Sequence, residues 1–336
     1  MSGRCSIGMA GVALGAWLAL GIATRTPADA TPAAPAAASA APAGNYLFAY
    51  FTRNGQDGLR LALSRDGYHW EPIADGKPWL KPTIGEEKLM RDPSLILGPD
   101  GIFHMVWTDA WKGQSIGYAS SKDLIHWSPE RPIKVMADEP TTVNCWAPVL
   151  RYDPRARDYL IIWASTIPGR FPATAETAES HYNHRIYSTT TTDFVQFTPA
   201  KVFFDPGYVV IDATLQQVNG RWCMVYKDET LKPVAKKNLH VAWADQITGP
   251  YTNISPVFSP PWVEGPATLA IDGHYFVYFD LYRAHHYGGM TTDDFVTFND
   301  ITPQVTFPAG CRHGTALAVT QDVVDGLKKA ATDVAK

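Results

Sequence analysis

Residues Arg91 to Trp127 read RDPSLILGPDGIFHMVWTDAWKGQSIGYASSKDLIHW, and most of the chain repeats their plan. An entry triplet, Arg91-Asp92-Pro93, runs into the apolar stretch Ser94 to Leu97. Pro99-Asp100-Gly101 is a turn signal that reverses a strand. The β-branched and aromatic run Ile102 to Trp107 then reads as a buried strand. A third strand, Ser115 to Ser120, leads through a tight Lys122-Asp123 corner to Trp127.

The ending recurs. SRDGYHW closes at Trp70, SKDLIHW at Trp127, TTDFVQF at Phe197, ADQITGPY at Tyr251 and TTDDFVTF at Phe298, at intervals of 57, 70, 54 and 47 residues. Such spacing suits four-stranded propeller blades of roughly 40–50 residues plus loops. The beginning recurs in phase: RDPS at Asp92, WAPV at Ala147, IDAT at Asp212, EGPA at Glu264 and RHGT at His313. The pattern therefore predicts an all-β, five-bladed β-propeller. Asn45 to Thr52 and Leu59 to Ser64 lack an entry strand before them, whereas His313 to Thr320 is an entry strand with no blade after it. Pairing the two ends closes the first blade with the C-terminal strand and leaves no open sheet edge. Val323, Val324, Leu327 and Val334 place a short docked helix in the tail.

The flanks and composition set the context. Arg4, the uncharged stretch Ile7 to Ala23 and Ala28-Asp29-Ala30 make residues 1–30 a secretory signal, so a secreted or periplasmic protein is expected. Residues 31–44 are an Ala/Pro-rich linker and 45–336 the propeller. The apolar stretch is short for a membrane span. A formal net charge of −4 with no basic block argues against nucleic acid as a partner. Cys145, Cys223 and Cys311 fit no zinc spacing and are either one bridge with a buried thiol or three buried thiols.

The inner strands of a propeller surround its axis, and their first residues ring one mouth. Asp92 stands nine residues before Gly101, Glu264 nine before Gly273 and Asp212 eight before Gly220, which puts three carboxylates at one level, with His313 on a fourth blade and Ala147 on the fifth. Carboxylates can cap strand ends. Crowded at an axis, they can also separate into an ionised base and a protonated acid, and two carboxyls flanking a sugar suffice to hydrolyse a glycosidic bond. Around them, Trp146 and Arg312 are candidate substrate contacts, as are Trp107, Trp111 and Phe171 at strand ends or loops. Arg91 either binds substrate or fixes the carboxylates. Lys227, Asp228 and Glu229 read as a solvated turn, and the repeated closing aromatics as blade packing.

The entries RDP, WAP, IDA, EGP and RHG, in this order, resemble glycoside hydrolase family 43, over roughly Asn45 to Thr320. The resemblance implies an inverting hydrolase of a poly- or oligosaccharide, with Asp92 as general base, Asp212 as the carboxylate that tunes the acid and Glu264 as general acid. It also implies that His313 faces a hydrated calcium ion on the axis, with no cofactor required for the chemistry. An α-L-arabinofuranoside is the first expected substrate, then a β-xyloside, β-galactoside or galactofuranoside. Val149 stands where many relatives are acidic. The related invertase-like propellers place their nucleophile in an Asn-Asp-Pro-Asn entry, which this chain lacks. The alternative is a carbohydrate-binding propeller whose acids are unused.

Overall fold

The structure is a computed structural model and describes residues 44–334. The expected signal segment lies outside them, as does all of the linker but Gly44. Five antiparallel sheets form five blades. Blade II runs outward from Arg91–Leu97 through Phe103–Thr108 and Ile116–Ser121 to Arg131–Ile133. Blade III comprises Trp146–Asp153, Asp158–Ser165, Arg185–Thr191 and Lys201–Phe204. Blade IV has Val210–Val218, Arg221–Asp228 and Asn238–Ala244, and Trp243 pairs with Thr252 where an outer strand would lie. Blade V comprises Glu264–Ile271, His274–Leu281, His286–Thr292 and Asn299–Asp300.

Blade I joins the two ends of the chain. Cys311–Ala318 is its inner strand, antiparallel to Tyr46–Thr52, with Tyr46 opposite Ala318 and Thr52 opposite Cys311. Arg60–Ser64 and Glu71–Pro72 complete it. The ring thus closes between the ends, as the unpaired entry strand requires. The only α-helix among the described residues is Gln321–Val334, whose Leu327 is buried against blades I and II. No helix of the described residues is long and apolar enough to cross a membrane.

The hydrophobic core is five cores, each in the seam between neighbouring blades. Leu215, Met224 and Tyr226 of blade IV pack on Leu160, Ile162 and Ile186 of blade III, and the other four seams are built alike. The repeated sequence ending is a side-chain-capped corner. In Ser64–Asp66, Ser121–Asp123, Thr191–Asp193 and Thr292–Asp294 the hydroxyl accepts the N–H three residues on, at 2.8–2.9 Å. The Asp accepts the next two N–H groups, at 2.7–2.9 Å. Such turns give polar backbone a partner where it leaves the sheet. They aim Leu124, Phe194 and Phe295 inward, all buried. Cys145, Cys223 and Cys311 are all free and buried, so the alternative with a bridge does not hold.

Ring closure has a direct test. Ending the chain at Gly310 strips the inner strand from blade I and exposes the Tyr46–Thr52 edge. The product is expected to be insoluble or unfolded by circular dichroism; a soluble truncation melting like the full chain would contradict closure by this strand.

Candidate active site

Every inner strand carries the same irregularity near its start. The ladder shifts between Arg91 and Ser94, Trp146 and Val149, Ile211 and Thr214, Glu264 and Ala267, and on blade I between the residues facing Ala49 and Phe51. Two inner residues there oppose one residue of the second strand, a β-bulge. The opposed residue is aromatic each time: Trp107, Trp163, Tyr226, Phe279 and Tyr50, all buried. Asp92, Ala147, Asp212 and Gly265 take positive φ at the bulge. Two stacked rings of side chains follow. Arg91, Trp146, Ile211, Glu264 and Arg312 form the outer one, and Asp92, Ala147, Asp212, Gly265 and His313 the inner one.

Glu264 is therefore not level with Asp92 and Asp212, as counting to the next glycine suggested. Gly265 holds that level, and Glu264 stands one residue nearer the mouth. The count failed because the blade II turn spans five residues, 98–102, whereas those of blades IV and V span two. Position 265 admits only glycine: φ is +59°, and a Cβ would meet the His313 ring at 2.4 Å.

The four groups do converge. Asp92 Oδ1 lies 3.3 Å from His313 Nδ1, and Thr108 Oγ1 donates to Asp92 Oδ2 at 2.8 Å. That hydroxyl accepts the Ala147 N–H at 2.8 Å, which locks it as a donor to the carboxylate. Burial alone would raise Asp92, but the His313 bond and charge, Arg91 and Thr108 outweigh it and bring it down to about 2. His313 is raised in turn: burial would lower it, and the bond to Asp92 and the surrounding carboxylates prevail. Asp212 Oδ2 accepts the Gly265 N–H at 3.0 Å, and burial pushes this acid up to about 6.

Glu264 departs from expectation. A pKa raised by Asp212 follows from the sequence argument, yet it is lowered. Burial would raise it, but Lys227 and Arg312 prevail. Lys227 Nζ reaches Glu264 Oε2 at 3.3 Å and Arg312 Nη2 reaches Oε1 at 2.8 Å. Lys227 and Asp228 are buried, so the solvated-turn reading of 227–229 is overturned. The sequence did hold a signal for this. In four of the five blades the residue after the opposed aromatic, Phe51, Thr108, Lys227 or Asp280, reaches the inner strand of the next blade.

The remaining candidates divide. Arg312 is engaged by Asp280 and Glu264, so it fixes carboxylates. Arg91 lies between the rings of Phe51 and Trp111, at 4.7 and 4.6 Å, within reach of Asn54. Trp146 is half-buried at the mouth; its indole N–H donates to the Trp111 carbonyl, and its ring meets Tyr182 and His184. Trp107 is fully buried in the seam of blades I and II, wedged beneath Gly117, and cannot touch a substrate. Phe171 sits in the insertion between the second and third strands of blade III, its ring under the Arg185 guanidinium at 4.3 Å. Tyr182 and His184, which sequence reasoning gave no role, bring that insertion to the mouth.

The donor set does not suit an axial hydrated cation. Below Asp92 and His313 the axis holds a cavity of about 10 Å³, lined by Ser94, Val149, Thr214, Thr268 and Thr315 among others. That is room for about one water. Arg151 lines it too, donating to Thr214 Oγ1 and the Leu215 carbonyl, so a fixed positive charge already stands there. Among the described residues no group of three or more His, Cys, Asp or Glu is placed to hold a metal ion.

Residues 41–325 match a family model described as a probable glycosyl hydrolase domain, related to family 43. No curated protein matches the chain. Among solved structures, a family 43 β-1,3-galactosidase with galactodeoxynojirimycin is 14% identical over 68% of this chain and 82% of that one, with a TM-score of 0.51. An α-L-arabinofuranosidase from Lactobacillus brevis is 17% identical over 63% of this chain and 72% of that one, at 0.49. An exo-β-1,3-galactanase from Phanerochaete chrysosporium is 12% identical over 66% of this chain and 52% of that one, at 0.49. At such identities the first likeness speaks for the fold alone, and the others add nothing to it. The family match covers all five blades, and on it the chain belongs to the glycoside hydrolases related to family 43.

Proposed function

We infer that this hydrolase removes a terminal sugar with inversion of configuration. One observation carries the reading: at one mouth of the axis, neighbouring carboxyls are pushed in opposite directions. Asp92 is held ionised, down to about 2, while burial lifts Asp212 to about 6 beside Glu264. Environments that separate acids in this way assign a base and a proton store.

The chemistry follows from position. Asp92, oriented by His313 and Thr108, takes a proton from water as its oxygen bonds to the anomeric carbon. The bond from that carbon to the glycosidic oxygen breaks, and the departing oxygen takes a proton from the Asp212–Glu264 pair. Protons shared by two interacting acids belong to the pair. Glu264 makes the delivery, because it stands half-buried in the outer ring, whereas Asp212 lies buried in the inner one. Trp146, Trp111 and Tyr182 offer aromatic faces for the sugar and its leaving group. An α-L-arabinofuranoside is the first substrate to test, then a β-xyloside, a β-galactoside and a galactofuranoside. The N-terminal segment favours export, which suits polysaccharide outside the cell.

Nitrophenyl glycosides of these sugars, followed by proton NMR of the first product anomer, test the mechanism. Inversion is expected, and retention would overturn it. Glu264→Ala is expected to lose orders of magnitude on natural linkages and far less on nitrophenyl glycosides, because a good leaving group needs little protonation. Asp92→Ala is expected to lose both equally. Hydrolysis by neither the wild type nor any variant, with sugar still bound, would leave a binding propeller.

The pH profile has a definite sign. The base needs its proton off, which holds above about 2, and the pair needs its proton on, which fails as pH rises through about 6. The kcat/KM of a natural substrate is expected to be flat in mild acid and to fall above about pH 6. A profile rising through neutrality would reverse the assignment. Because Arg151 stands at the axis and the space beside it has room for about one water, exhaustive chelation is expected to leave activity and Tm unchanged. A loss restored by calcium would contradict that reading.

A further inference from the structure

One of the two cations that hold Glu264 is an ammonium buried between blades IV and V. We propose that Lys227 is a positioning residue for Glu264, the anchor of an ion chain that ties this acid to the insertion of blade III. The proposal rests on the role given to Glu264 above.

The chain can be followed atom by atom. Lys227 Nζ is 3.3 Å from Glu264 Oε2 and 2.7 Å from Glu229 Oε2, under the Tyr282 ring at 4.9 Å. Glu229 Oε1 pairs with Lys237 Nζ, which reaches Glu179 Oε2 at 2.6 Å. Glu179 belongs to the insertion whose Tyr182 and His184 pack on Trp146. Signs alternate from the axis outward: Glu264, Lys227, Glu229, Lys237, Glu179. Both ammonium groups are buried, so each charge depends on its neighbours.

Lys227 acts on geometry and on protonation together. With Arg312 on Oε1 and Lys227 on Oε2, both oxygens are held and the carboxyl is kept from turning. The charged and titratable groups around Glu264 are Lys227 of blade IV, Arg312 and His313 of blade I, Asp280 and Tyr282 of blade V, Asp212 of blade IV and Asp92 of blade II. Arg312 is shared with Asp280, and Lys227 with Glu229. Of the two cations, Lys227 lowers Glu264 the more, in line with its burial.

The test compares Lys227→Met, which keeps length and loses charge, with Lys227→Arg, which keeps charge. Lys227→Met/Glu229→Gln removes the pair together in case the single variant fails to fold. Carbon-13 NMR of the side-chain carboxyls, with Glu264→Gln to assign the signal, reads protonation whether or not any substrate is turned over. Glu264 is expected to titrate at least about one pH unit higher without Lys227. It is expected to titrate as in the wild type with Lys227→Arg. On a natural substrate, the fall in kcat/KM at high pH is expected to move up by a similar interval, which mere loosening of the fold would not cause. A Glu264 titration unmoved in both Met variants, or moved equally by Lys227→Arg, overturns the proposal. The expected titration in a protein that cleaves no glycoside would instead overturn the hydrolytic role of Glu264 and leave the positioning standing.

Discussion

Five inner strands that converge on one axis crowd one another's side chains. The bulge opposite a buried aromatic resolves this in all five blades. Trp107, Trp163, Tyr226, Phe279 and Tyr50 fill the seams behind, and the doubled residues in front turn their backbone toward the axis. Positive φ at a residue other than glycine costs about 1–2 kcal/mol, and Asp tolerates it better than most. Asp92 and Asp212 adopt it at φ of 53° and 52°. The strain is spent where a carboxylate must point into the channel, and five packed seams hold it there.

Once acids are gathered at an axis, their charges must be met. Each is met differently, and this difference makes the site more than an acidic patch. Asp92 has an imidazole and a hydroxyl, Glu264 has two cations, and Asp212 has a backbone N–H and the charges of His313 and Lys227, which its burial outweighs. The first two are drawn toward ionisation and the third toward keeping its proton. Breaking a buried ion pair on one side costs about 3–5 kcal/mol, because an unpaired charge is left behind. The network around Lys227 and Arg312 is therefore as much a condition of folding as of chemistry. Arg151 extends the logic below the site, where a guanidinium and hydroxyls occupy the axis.

Partners come from the next blade, so the site exists only in the closed ring. Thr108 of blade II reaches Ala147 of blade III, Lys227 of blade IV reaches Glu264 of blade V, and Asp280 of blade V reaches Arg312 of blade I. Blade I itself exists only because Cys311–Ala318 pairs with Tyr46–Thr52. The ends of the chain and the catalytic mouth thus depend on one strand.

The blade count, the closing strand and the residues at the axis were all legible in sequence, because repetition writes itself into a chain. Ser/Thr-x-Asp corners, entry triplets and aromatic runs recur wherever the same backbone geometry is demanded. Asp92, Asp212, Glu264 and His313 could be named from their place in that repeat. What sequence could not supply was anything decided between blades. Turn length hid the one-residue offset of Glu264, and Trp107 looked like a mouth residue when it is the wedge behind a bulge. Lys227 looked like part of a solvated turn, since its place after the aromatic of a second strand means burial only when the neighbouring blade is present. Protonation was decided last and only in three dimensions: burial and neighbouring charge set it, and both belong to the ring rather than to any one strand.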